Sequence, residues 1–146
     1  MVFHVGEDLF STILAVSLLS VFIAALAHSY HLYSERRNAF EGFDLALDVA
    51  ERLRNRVLSS RDDRPGLIEL SRERLESYSK LLALQGINLR VELRSLDGEL
   101  LLSNGPEPNP LGQYFSPPAS ASLPVAVSCD EESARPCELT VKVWRD

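Results

Sequence analysis

Two cysteines and three histidines are the residues of this chain best equipped for covalent or metal chemistry, and their positions restrict what they can do. His28 and His31 stand three apart, a spacing that puts two imidazoles on one helical face and would offer two nitrogen ligands to a metal or haem. Both, like His4, lie in or beside an apolar N-terminal segment, where polar side chains ordinarily rest at headgroup level. Cys129 and Cys137 flank the polar stretch CDEESARPC, and a disulfide between them would close the mouth of a hairpin. Two free thiols are the alternative. A zinc site would need further Cys or His ligands, which the C-terminal half lacks. Asp130, Glu131 and Glu132 fall in a turn and read as solvated charge. No Ser or Cys can be paired with a base from sequence, and the glycine signals mark turns, not phosphate loops. The expectation is a protein without catalytic residues, cofactor or metal.

The net charge of −6 is distributed with acids and bases mixed along the chain, so no basic patch offers itself to nucleic acid. Hydrophobicity is concentrated instead. Residues 9–27, LFSTILAVSLLSVFIAALA, contain no charge, and as a helix they cover roughly 28 Å, close to the hydrocarbon thickness of a bilayer. Ser11, Thr12, Ser17 and Ser20 are the polar residues within, and their hydroxyls can bond back to helix carbonyls. Glu7 and Asp8 close one end, while Tyr30 and Tyr33 stand where interfacial aromatics belong at the other. Ala25-Leu26-Ala27 has the form of a signal-peptidase site, yet the segment before the apolar run carries no Lys or Arg. The reading is a single transmembrane helix with the lipid bilayer as partner. Arg36 and Arg37 after the span would hold the C-terminal domain in the cytoplasm, whereas a disulfide would place it in an oxidising compartment. The disulfide sets the expectation of an extracellular head on the cell membrane, with a cytoplasmic-facing interaction domain as the alternative.

Beyond the span no Pro occurs until the loop SSRDDRPG, and Gly42 is a potential bend. Ala39, Phe43, Ala46, Ala50, Leu53 and Val57 recur at spacings of four and three, the mark of one helical face. That face packs on its own domain or associates with another copy of the helix. A second helix is predicted from about residue 68 to 85, stopped by Gly86, with Leu67 to Leu70 equally able to form a short extended segment. Thereafter the period is two: Ile87, Leu89, Val91 and Leu93 alternate with polar residues, Asp97-Gly98 turns the chain, and Leu100 and Leu102 continue a hairpin. Ala121, Leu123, Val125 and Val127 form a further strand, demoted by Pro124 to an edge or bulge, and Cys137, Leu139, Val141 and Val143 form the last. Residues 104–118 are rich in Pro and predict a long loop, with Tyr114 and Phe115 as a candidate partner-binding feature. The fold class is α+β: a tail at 1–8, a transmembrane helix at 9–27, an amphipathic extension at 28–60, and a head at 66–146 with a small antiparallel sheet.

The apolar run LFSTILAVSLLSVFIAALA followed by AFEGFDLALDVAERLRNRVLSS, with the late strands SLPVAVSC and CELTVKVW, resembles the plan of archaeal type IV pilin-like membrane proteins. The resemblance implies a structural or accessory component of a cell-surface filament or its assembly machinery, with copies of itself or other pilin-like subunits as partners and the head outside the cell. That family's leader places a basic residue and Gly before the cut. Here Val5 precedes Gly6, and Glu7 and Asp8 follow, so the resemblance is to a subunit that retains its anchor. A membrane-tethered extracellular binding module is the competing reading.

Overall fold

The computed structural model describes residues 2–60, 66–112, 116–130 and 132–145. The chain divides into two compact units, Met1–Asn38 and Ala39–Asp146. Helix α1 (Val2–Arg52) contains no Pro and only two glycines, so its backbone hydrogen bonding is uninterrupted, and Gly42 introduces no break. Residues expected as a tail belong to this helix from Val2 onward. Its last turn widens into a π-helix, Leu53–Val57, closed by the Leu58 amide donating to the Leu53 carbonyl at 2.9 Å. The wider turn places Leu53 and Leu58, five residues apart, together in the core.

The second helix, α2 (Arg72–Leu84), begins later than its periodicity implies. Ser71 caps it, its hydroxyl accepting from the Arg74 amide, and residues before the cap are extended. Leu67–Ile68 is a short strand, β1. Gly86 ends α2 as expected. With φ of 72° it lets the Gly86 amide reach the Ala83 carbonyl and the Ile87 amide reach the Leu82 carbonyl, both at 3.0 Å.

Four further strands follow: β2 (Asn88–Ser95), β3 (Leu100–Asn104), β4 (Ser116–Ser128) and β5 (Ala134–Arg145). Their order in the sheet is β1-β4-β5-β2-β3. All neighbours are antiparallel except β1 and β4, so the sheet is mixed where a purely antiparallel one was expected. The β2–β3 hairpin turns through Leu96, Asp97 and Gly98, the glycine at φ 86°. The predicted loop 104–118 is shorter than expected, because Asn104 lies in β3 and Ser116 already begins β4. Pro117, Pro118 and Pro124 are tolerated because β1 pairs with Ala126 and Val127 alone, and among the described residues no other strand lies on that side of β4 to receive amide donors.

One face of the sheet carries the core. Leu89, Val91, Leu93, Val125, Val127, Leu139, Val141 and Val143 are buried there together with Ala46, Val49, Ala50 and Leu53 of α1 and Leu75 and Leu82 of α2. Burying a leucine such as Leu53 completely contributes about 1.5–3 kcal/mol. Small residues bring α1 close to the sheet: a Cβ built on Gly42 would stand 3.1 Å from the Ala119 Cβ. The opposite face is polar, with Arg90, Glu92, Thr140, Lys142 and Ser122 in adjoining rows.

Candidate membrane anchor and interaction surfaces

In the first unit, every large apolar side chain from Leu9 to Leu26 is more than half exposed. The helix is long and apolar enough to cross a membrane, and none of its most apolar window is covered by protein. Three of its internal hydroxyls bond locally: Thr12 donates to the Asp8 carbonyl, Ser17 to Ile13 and Ser20 to Val16, each at 2.8 Å. Such bonds leave the outer surface apolar. His31 sits 3.5 Å from Glu35, one turn on. His28 and His31 gather no third ligand, and among the described residues no group of three or more His, Cys, Asp or Glu converges as a metal site would require.

In the second unit, the stripe read as a helix-association face packs mainly on its own sheet. Ala46, Ala50 and Leu53 are completely buried, Val57 packs against the same core, and only Ala39 and Phe43 remain exposed. Asp48 and Arg52 pair at 3.0 Å on the outer face, as their i, i+4 spacing implies. Beside them Tyr78 of α2 is half-buried. Burial pushes its hydroxyl above the ordinary tyrosine value, opposed by Arg52 and reinforced by Asp48. A groove of about 500 Å³ runs here between Val57 and the Arg74, Ser77, Tyr78 and Leu81 side chains of α2.

The expected disulfide is not formed; both cysteines are free. The reason is register. Cys137 stands opposite Val125 on one side and Ser95 on the other, whereas Cys129 lies past the last β4 pair, its amide donating to the Ser133 carbonyl. Four residues of strand separate the position opposite Cys137 from Cys129, about 13 Å, far beyond the reach of a disulfide. Alternation puts both thiols on a common face of the sheet, which sets phase but not distance along the strands. Cys137 is buried, and that burial raises its thiol above the ordinary value, with Arg135 opposing; Cys129 is exposed. Tyr114 and Phe115 lie outside the described residues.

The polar face holds an ion network that periodicity alone did not single out. Arg90 donates to Glu92 at 2.8 Å and to the Gly105 carbonyl at 3.1 Å, and it pairs with Glu107 at 3.2 Å. Arg94 reaches the second Glu92 oxygen at 3.4 Å. The Arg90 hydrogen bond is the largest influence holding the Glu92 carboxyl below its ordinary value, with burial opposing it and Lys142 adding to it. Gly105, at φ 96°, is required here, because a Cβ would strike the Leu89 carbonyl oxygen. The network thus ties the segment after β3 to the sheet. At the other end of the strands Arg135 bonds Glu99 at 3.1 Å and lies 3.6 Å from Asp97, joining β5 to the β2–β3 turn.

No protein-family model matches the chain, and neither a curated protein nor a solved structure is significantly similar to it.

Proposed function

We propose that this chain is a non-enzymatic, single-pass membrane protein serving as a pilin-like structural or accessory subunit. One observation carries the reading: α1 is a single helix with two different surfaces. From Leu9 to Leu26 its apolar side chains are exposed, and from Ala46 to Leu53 it is the central element of a soluble core. The first part suits lipid or neighbouring helices, and the second is built into the head. The ion networks described above tie loops to the sheet and support a structural role. The test is isolation of membranes and any surface filaments from producing cells, followed by crosslinking and mass spectrometry. Recovery in a filament or an assembly complex supports the reading. A chain that remains an isolated monomer in the bilayer contradicts it.

A second reading concerns orientation. The absent disulfide removes the argument for an oxidising compartment, and Arg36 and Arg37 follow the span while Glu7 and Asp8 stand at its other end. These observations favour a cytoplasmic-facing interaction domain. Exposed Cys129 is a built-in reporter. Modification by a membrane-impermeant maleimide in intact cells places the head outside; modification only after lysis places it inside.

A further inference from the structure

We propose that two copies of this chain pair through the outer edge of β4, strand against antiparallel strand about a two-fold axis at Ala121, so that their sheets continue into one another. The contact lies within the second compact unit and does not depend on residues 9–27 spanning a membrane.

The phase of β4 defines the edge. The Ala126 amide donates outward to the Gly66 carbonyl at 2.9 Å, and alternation gives Pro124, Ser122 and Ser120 the same outward direction. The pairing with β5 agrees. Ala126 stands opposite Pro136 and Pro124 opposite Glu138, where a proline breaks no bond because both members of the pair direct their backbone groups away from each other. Side chains approach closely in such pairs, and the Ser122 and Thr140 hydroxyls lie 2.9 Å apart. β1 covers this edge at Ala126 and Val127. Among the described residues the outward amides of Ser120 and Ser122 have no acceptor, and both serines are exposed. Ser116 faces Arg145 and Ala119 faces Val143, so Pro117 and Pro118 together oppose Trp144, and this bulge ends the regular strand.

An open edge is a template for another strand, and the composition of this one selects which. β4 has no ionic side chain over its whole length, so it offers nothing to a charged segment and does not repel a copy of itself. Its prolines select further. Pro118 and Pro124 cannot donate, so an arbitrary strand laid along the edge would spend its own carbonyls against them. A second β4 matches the pattern, because Pro118-Ala119-Ser120-Ala121-Ser122-Leu123-Pro124 reads almost alike in both directions. Turned about Ala121, Ser120 of one copy meets Ser122 of the other, and each such pair exchanges both of its backbone hydrogen bonds. Pro118 then meets Pro124, where neither residue has a donor to lose. On the core side Ala121 meets Ala121, and Ala119 meets Leu123, both of which are only partly buried in a single copy. The patch is thus self-complementary, as a closed two-fold dimer requires.

The test uses the full chain in detergent, with exposed Cys129 replaced by Ser (C129S) and buried Cys137 left in place. In that background Ser120→Cys and Ser122→Cys chains are oxidised separately and as a mixture. A disulfide should join the two variants in the mixture and neither variant to itself, because like positions lie more than about 8 Å apart in this register. By sedimentation velocity the unmodified chain should dimerise. Ser122→Pro removes an outward donor that the folded head does not use, and it should weaken the dimer at least about tenfold. Trp144, the single tryptophan and only 4% exposed, reports whether the head of that variant is folded, and the crosslinking decides alone if its emission maximum shifts. Dimers indifferent to Ser122→Pro in a folded head are held elsewhere and overturn the proposal. So do cysteine variants that crosslink to themselves as readily as to each other, and a chain that is monomeric at every concentration.

Discussion

Arg90 and Glu92 stand two positions apart on β2, and the pleat therefore puts them side by side on the polar face. Their side chains are largely buried, so the pair is better shielded from water than a surface ion pair. Replacing Glu92 by Ala removes the acceptor of both Arg90 and Arg94, and a cost of about 2 kcal/mol is expected in chemical denaturation. Because the folded state holds the Glu92 carboxyl below its ordinary value, its contribution is complete above the ordinary carboxylate range, near ~4.3, and is lost as pH falls through and below that range. Thermal stability should thus decline on acidification from about pH 5, and less steeply in Glu92→Gln. The cysteines give a second measurement at this scale. Alkylation without reductant, read by intact mass, should add one group to the folded chain at Cys129 and two after unfolding. A chain that takes up none until reduced would contradict the strand register. The alternation around Cys129 and Cys137 reveals which face they share, but the number of paired residues beyond Cys137 depends on where the turn closes, and CDEESARPC contains no Asn-Gly or Asp-Gly to mark it.

At the level of elements, local chemistry was readable wherever one residue type dictates backbone geometry. Gly86 announced the end of α2 and Asp97-Gly98 the hairpin, since both glycines adopt positive φ. The apolar stripe of α1 likewise announced a buried face, although periodicity cannot say whether the covering surface is the chain's own sheet or another molecule. Features fixed by tertiary partners were readable only as alternatives. Leu67–Ile68 admitted helix or extended chain, and β4 beside it makes it a strand; Pro124 pointed to an edge or bulge, and among the described residues most of the outer side of β4 has no partner strand. Gly42 is the sharpest case. A glycine in a helical pattern invites a bend, but here the helix continues and the missing side chain admits Ala119. Gly42→Leu should force α1 and β4 apart and lower stability by about 1–3 kcal/mol, measured by denaturant unfolding of the full chain in detergent. A variant as stable as the parent would show that this contact is not close packed.

For the whole molecule, the exposed apolar part of α1 and the core element of the head belong to one helix. A soluble protein rarely exposes a contiguous apolar surface of this extent, and a bilayer removes the cost by covering it. The same segment would also serve as an export signal if it were cut at Ala27, in which case the mature chain would lack residues 1–27. Extraction of producing-cell membranes with alkaline carbonate, followed by intact-mass determination of the chain, separates these outcomes in one measurement. The expected chain stays in the membrane pellet and retains residues 9–27. A chain released into the supernatant, or one whose mass shows that the apolar segment has been removed, would contradict it.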